Sequence, residues 1–229
     1  MSDLHAPGEH GPGDDGLLTD DPVTPVVTAS EIVYPGMVWS IRKESFEFGD
    51  IALTREFVEH TGAVAVLAMD DQGRILLIKQ YRHPIQAREW ELPAGLLDIT
   101  GEDPLVGAQR ELAEEADLVA SQWDLLTDFQ TSPGGSNEAI RVYLARGLSD
   151  AAEVYARFDE EAEIEKRWVS FDEIVEAVLA SRVQNSILMI SVLAADAARR
   201  RGWSTLSDAT TPWTRHPLYR AGAADPIEG

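Results

Sequence analysis

Apolar residues fall along this chain in two periods, and the change from one to the other marks out its elements. Residues 62–69, GAVAVLAM, are apolar at nearly every position, as in a strand covered on both faces. Residues 70–73 supply a turn, and 74–81 return as the expected hairpin partner. WDLLTDFQ (123–130), AIRVYLARGL (139–148) and EKRWVSF (165–171) read as further strands. Between Glu31 and Glu59 the shorter runs IVYPGMVWSI, SFEF and IALTREFVEH predict an N-terminal sheet. A helical period appears after Pro104, where Leu105, Ala108, Leu112 and Ala116 recur at spacings of three or four, and again over 171–180 and 186–201. Pro104 suits a first helical turn, and Glu102 and Asp103 suit the positive end of its dipole. Strands on both sides of an isolated helix, followed by later helices, predict an α/β fold: an α/β/α sandwich around a mixed sheet, with an N-terminal β extension.

Four segments follow. Residues 1–24, rich in Gly, Pro and Asp, are expected to be disordered. Residues 25–60 form the β extension, whose strand edges need covering and so predict a homodimer. Residues 61–203 form the core domain. Residues 204–229, with Trp213, His216 and Tyr219 among prolines, read as a surface-docked or mobile tail.

Charge narrows the partners. Forty acidic side chains against nineteen basic ones, a net charge of −21, oppose nucleic acid and anionic membrane. A phosphate ligand would have to be met by local arginines and by metal. The chain has no cysteine, hence neither a disulfide nor a thiol nucleophile. Its first residues lack the basic start and apolar run of a signal peptide, and no stretch reaches the length of a membrane span, so the expected location is cytoplasmic.

The chemistry concentrates on the first helix. Arg110, Glu111, Glu114 and Glu115 lie close together, with Glu111 and Glu115 one turn apart on one face and Glu114 adjacent. Like charges so placed repel, and the arrangement makes most sense with a divalent cation among the oxygens.

Residues 95–118, GLLDITGEDPLVGAQRELAEEADL, resemble the Nudix box, G-x5-E-x7-R-E-U-x-E-E-x-G-U with U apolar. Gly95, Glu102, Arg110, Glu111, Leu112, Glu114, Glu115 and Leu118 fill its places. Six residues rather than five separate Gly95 from Glu102, an insertion absorbed at Gly101. Asp117 stands where the family has glycine, at a helix end that favours left-handed backbone; Asp visits that region readily, so a modest stability cost and intact chemistry are expected. The resemblance implies the Nudix sandwich and a metal site in which Glu111 and Glu115 are the main ligands, Glu114 is accessory and Ala94 lends its carbonyl oxygen. Arg110 would orient the glutamates. Mg²⁺ is the expected cofactor, with Mn²⁺ as the alternative. Glu114, Glu115 and Arg110 join the catalytic set with Glu161, the first choice for general base in an acidic run where Glu160 and Glu163 are the alternatives.

Segments outside the box narrow the substrate. Residues 77–95 resemble the Nudix subgroup that hydrolyses ADP-ribose and related nucleoside diphosphate sugars. Ser132, Pro133, Gly134 and Gly135 resemble the S-P-G-G segment of ADP-ribose pyrophosphatases, with Pro133 standing 15 residues beyond Leu118. The resemblance implies that Arg82, Pro133 and Gly134 bind substrate, and that Arg55 reaches a phosphate or adenine across a dimer interface. By physics alone Pro133 marks a turn, Arg82 and Arg55 are solvated strand arginines, and the 159–163 run is a solvated loop. The expected activity is metal-dependent hydrolysis of ADP-ribose to AMP and ribose 5-phosphate. The alternatives are hydrolysis of another nucleoside diphosphate sugar or a dinucleoside polyphosphate, and a non-catalytic ADP-ribose sensor.

Overall fold

The computed structural model describes residues 18–152, 164–216 and 219. The first 17 residues and most of the chain's end therefore lie outside the described residues. Strands β1 (Val27–Pro35), β2 (Ser40–Phe48) and β3 (Ile51–Glu59) form an antiparallel sheet of their own. β4 (Ala63–Ala68), β7 (Ala94–Leu96), β8 (Leu118–Gln130), β9 (Ala139–Asp150) and β11 (Ser207–Asp208) make a mixed sheet in the order β11-β8-β9-β4-β7. β5 (Arg74–Arg82), β6 (Ala87–Glu91) and β10 (Glu165–Ser170) form a third, ordered β10-β5-β6. The helices are α1 (Pro104–Ala116), α2 (Phe171–Leu179) and α3 (Ser186–Arg199).

β4 shows why the chain makes layers. It is buried along its whole length, and its alternate side chains serve two cores. Ala63, Ala65 and Leu67 pack with Ile174, Val178, Leu188 and Val192 of α2 and α3. Val64, Val66 and Ala68 pack with Ala108, Leu112 and Ala116, the stripe on α1. A strand so placed has no solvent face, which explains its uninterrupted apolar run.

The expected 62–81 hairpin is corrected. β4 pairs in parallel with β9 (Ala63↔Ile140 to Ala68↔Ala145) and antiparallel with β7 (Ala63↔Leu96 to Ala65↔Ala94), so both its edges are taken. β5 pairs with β10 and β6 instead, and only the bridge Met69↔Ile75 joins it to the end of β4.

α1 begins and ends as its sequence requires. Asp103 caps it by accepting from the Leu105 N–H, and Pro104 occupies the first position. Asp117 takes the left-handed conformation, φ 59°, that a glycine would otherwise supply. Its carboxylate meets the Lys166 ammonium on β10, which offsets part of the backbone cost.

The C-terminal segment, expected to be surface-docked or mobile, lies over its described part mostly exposed, anchored by the buried Ala209, Trp213 and His216. β11 pairs with β8, and Ala209 and Trp213 belong to the cluster under α1. The buried Arg141 guanidinium lies 4.8 Å from the Trp213 ring and donates to the Thr211 carbonyl. His216 is buried against the rings of Trp213 and Tyr219, which stack on each other, and hydrogen-bonds to the Thr61 main chain. It also abuts Gly62, where a Cβ would overlap the imidazole.

Burial pushes the His216 pKa down from 6.5 to about 4. In that interval the unfolded chain binds a proton that the folded chain refuses. Stability from this group is therefore full above pH 6.5 and is lost as pH falls toward 4, at no more than about 1.4 kcal/mol per pH unit. His216→Gln is expected to show a shallower fall in unfolding midpoint between pH 7 and 4 than the parent. Equal slopes would mean that the fold accommodates the charged ring.

Candidate active site

The face of α1 turned away from the core carries one cation gripped by three carboxylates. Arg110 forks Glu102, with Nε to Oε1 and Nη2 to Oε2 both 3.0 Å. Its Nη1 donates to Glu111 at 2.5 Å and to Glu114 at 3.1 Å. The hydrogen bonds it donates to Glu102, with the charge of Glu111, raise the Arg110 pKa above its ordinary value, against the opposing effect of burial. Glu102 was visible in the motif, but its part in holding Arg110 was not.

Glu115 is held differently. It is buried, and its Oε2 accepts from the Ala94 N–H at 2.9 Å, tying the helix to β7. Gly95 follows, and the carboxylate of Glu111 lies where a Cβ on that residue would be. Glycine is therefore required there, because α1 and β7 approach across an acidic side chain. Four of the residues expected at a metal site, Ala94, Glu111, Glu114 and Glu115, thus sit at the junction of α1 and β7.

The donor chemistry suits a hard divalent cation: carboxylate oxygens backed by main-chain carbonyls at a close helix–strand approach. Among the described residues no three His, Cys, Asp or Glu side chains form a ready-made metal cage. Arg110 Nη1 holds one oxygen of each glutamate, Glu111 Oε1 and Glu114 Oε2, so a cation bound to those oxygens would compete with it.

Glu161, with Glu160 and Glu163, lies outside the described residues. Arg82 stands at the end of β5 and forks the buried Glu91 of β6, Nε to Oε1 at 2.9 Å and Nη2 to Oε2 at 2.7 Å. Gln80 adds a third bond to that carboxylate at 3.2 Å. Sequence reasoning missed Glu91, which follows Arg88 and Glu89 in the run AREWEL and so does not stand out as a buried carboxylate.

Arg55, Pro133 and Gly134 come together. They line a cleft of about 490 Å³ with Gln130, Asn137 and Arg215 among its other walls. The volume is in the range of small-ligand sites. The 132–135 segment is a turn, with Gly135 N–H and Ser136 N–H both donating to the Ser132 carbonyl. The end of β3 is bonded to it: Val58 N–H donates to Gly135 O at 2.9 Å, and His60 N–H to Asn137 Oδ1 at 2.8 Å. Arg55, for which a reach across a dimer interface is expected, lines this cleft beside the turn to which β3 is fastened. Arg82 is not among the residues lining this cleft.

The comparisons with known proteins agree on one family. A family model described as NUDIX domain matches residues 59–188. The chain is 43% identical over 190 residues to the ADP-ribose pyrophosphatase of Mycobacterium tuberculosis, a match covering 82% of this chain and 91% of that protein. It is 37% identical over 159 residues to the ADP-ribose pyrophosphatase of Bacillus subtilis, covering 69% and 85%. The crystal structure of an ADP compounds hydrolase superposes with a TM-score of 0.65 at 18% identity, over 81% of this chain and 99% of that one, a likeness of fold.

Proposed function

Because the chain belongs to the Nudix family, we propose that it hydrolyses the pyrophosphate bond of ADP-ribose, giving AMP and ribose 5-phosphate. The observation that carries this reading is the arrangement on α1, where Arg110 gathers Glu102, Glu111 and Glu114 while the Ala94 N–H fixes Glu115. Such a row of carboxylates on a rigid helix has a use in drawing a divalent cation to a phosphate and little use as a solvated surface.

Glu111 and Glu115 would hold that cation, with Glu114 accessory and the Ala94 carbonyl as a further donor; Mg²⁺ is the proposed ion and Mn²⁺ the alternative. When bound, it supplies positive charge to phosphate oxygens that otherwise repel a nucleophile. Arg110 keeps the glutamates in register. Arg55 and the turn at Pro133 and Gly134 receive the nucleotide, and Arg82 contacts phosphate. Glu161 is the proposed acceptor of the proton from attacking water.

Turnover assays with ADP-ribose and either metal test the reading, alongside other nucleoside diphosphate sugars and dinucleoside polyphosphates. Faster turnover of one of those would reassign the substrate, and tight binding of ADP-ribose without turnover would make the protein a sensor.

The proposed active unit is a cytoplasmic homodimer without nucleic-acid or membrane partners. The apolar residues Ile32, Val33, Tyr34 and Ile51, all exposed on the N-terminal sheet, support the dimer. The full chain is expected to sediment as a dimer and a chain beginning at Gly62 as a monomer. A monomeric full chain would remove this assignment.

A further inference from the structure

The cleft beside the 132–135 turn contains a second cation that neither the box nor the turn supplies. Arg215 belongs to the C-terminal segment, beyond residues 59–188 of the family match, yet it lines the same cleft as Arg55, Pro133 and Gly134. Its backbone is well anchored. Trp213, two residues before, is buried under α1, and His216, one residue after, is buried against Gly62. A guanidinium delivered from such a base loses less freedom on binding than one on a loose tail.

The charge of this wall departs from that of the chain. Arg55 and Arg215 stand at the cleft with two carboxylates, Glu56 in its lining and Asp20 on Arg215, so the wall is balanced in a protein of net charge −21. Displacing Asp20 leaves the net positive charge that an anionic ligand needs. The present partner of Arg215 is easily displaced. Nη1 donates to Asp20 Oδ2 at 2.8 Å and Nη2 to the Asp20 carbonyl at 2.9 Å, but the Asp20 side chain is 92% exposed. An ion pair that open to water contributes little, whereas a phosphate offers a denser charge in a geometry the guanidinium fork matches.

We infer that Arg215 is a substrate-binding residue whose guanidinium takes a phosphate oxygen of the nucleoside diphosphate, with Asp20 as the internal stand-in that this phosphate displaces. The inference rests on the reading that the cleft receives a nucleoside diphosphate.

Binding of ADP to the full chain in EDTA, measured by calorimetry, tests it apart from turnover. Arg215→Ala is expected to weaken ADP binding about 10-fold, in line with loss of a charge-assisted hydrogen bond, and to raise KM for ADP-ribose by a similar factor. Arg215→Lys should recover part of the loss, and Asp20→Asn should tighten ADP binding about 2-fold. Adenosine, which has no phosphate, should bind both the parent and Arg215→Ala alike. Unchanged ADP binding and KM in Arg215→Ala would overturn the assignment; an equal loss for adenosine would overturn the phosphate contact, and weaker binding in Asp20→Asn the displacement. Arg215-dependent ADP binding without ADP-ribose turnover would leave this inference standing and remove the hydrolase reading. Turnover with a KM indifferent to Arg215 would do the reverse.

Discussion

Glu115→Gln is expected to lower kcat for ADP-ribose by at least ~100-fold while leaving the protein folded. The carboxylate is buried and accepts the Ala94 N–H at 2.9 Å, and a glutamine side-chain oxygen can accept the same bond in the same volume. The variant therefore removes one negative charge and little else. If Glu115 is a principal ligand, the charge that draws a divalent cation to the phosphate falls, and the loss appears in the chemical step. The measurement is kcat at saturating ADP-ribose over a range of Mg²⁺, with thermal unfolding as the control. Near-normal turnover in a protein that melts like its parent would remove Glu115 from the metal site and leave it as a tie between α1 and β7.

Arg110→Ala should show the second large effect, in stability first. The Arg110 side chain is 26% exposed, and those of Glu102 and Glu111 only 8% and 12%. Removing the cation takes from these carboxylates, and from Glu114 beside them, the guanidinium that pairs all three. Breaking a largely buried ion pair from one side costs about 3–5 kcal/mol; discounted for the partial exposure of Arg110, about 2–4 kcal/mol is expected. Urea unfolding should show this as a lower midpoint at unchanged slope. Arg110→Lys should recover only part, since an ammonium cannot fork Glu102 while also reaching Glu111 and Glu114. Added Mg²⁺ or Mn²⁺ should raise the midpoint of Arg110→Ala more than that of the parent, because the carboxylates are then released to the cation. A variant as stable as its parent, and indifferent to metal, would mean that the acidic row is not energetically coupled to Arg110.

These two variants probe the part of the molecule most legible in sequence. A helix stripe at Leu105, Ala108, Leu112 and Ala116 reports which face is buried. Side chains four apart on one helix must be neighbours, so the closeness of Arg110 to Glu114 follows from spacing alone, whereas its bond to the adjacent Glu111 is shown only by the structure. The left-handed end of α1 at Asp117 follows from local backbone chemistry. In the same way the doubly buried β4 is written in its unbroken apolar run, and the layered α/β architecture in the order of strand and helix periods.

What the sequence could not determine was partnership across distance. Apolar period reports the faces of a strand and is silent about its edges, so β4 and β5, adjacent in the chain, enter different sheets while β4 pairs with β9. The strands on either side of Leu92 and Pro93 carry no clean alternation, and β6 and β7 exist because other strands offer them edges. Glu91 under Arg82, Arg55 beside Pro133, and Arg215 in the cleft it shares with them each depend on where two separate segments come to lie. The C-terminal segment reads as polar and proline-rich, yet Trp213 and His216 are buried, because the space beneath α1 and beside Gly62 is defined only once the sheet has closed. Local chemistry is encoded by neighbours in sequence, where the covalent chain fixes the geometry. A cleft assembled from β3, the 132–135 turn and the C-terminal segment is decided by packing, which no single segment records.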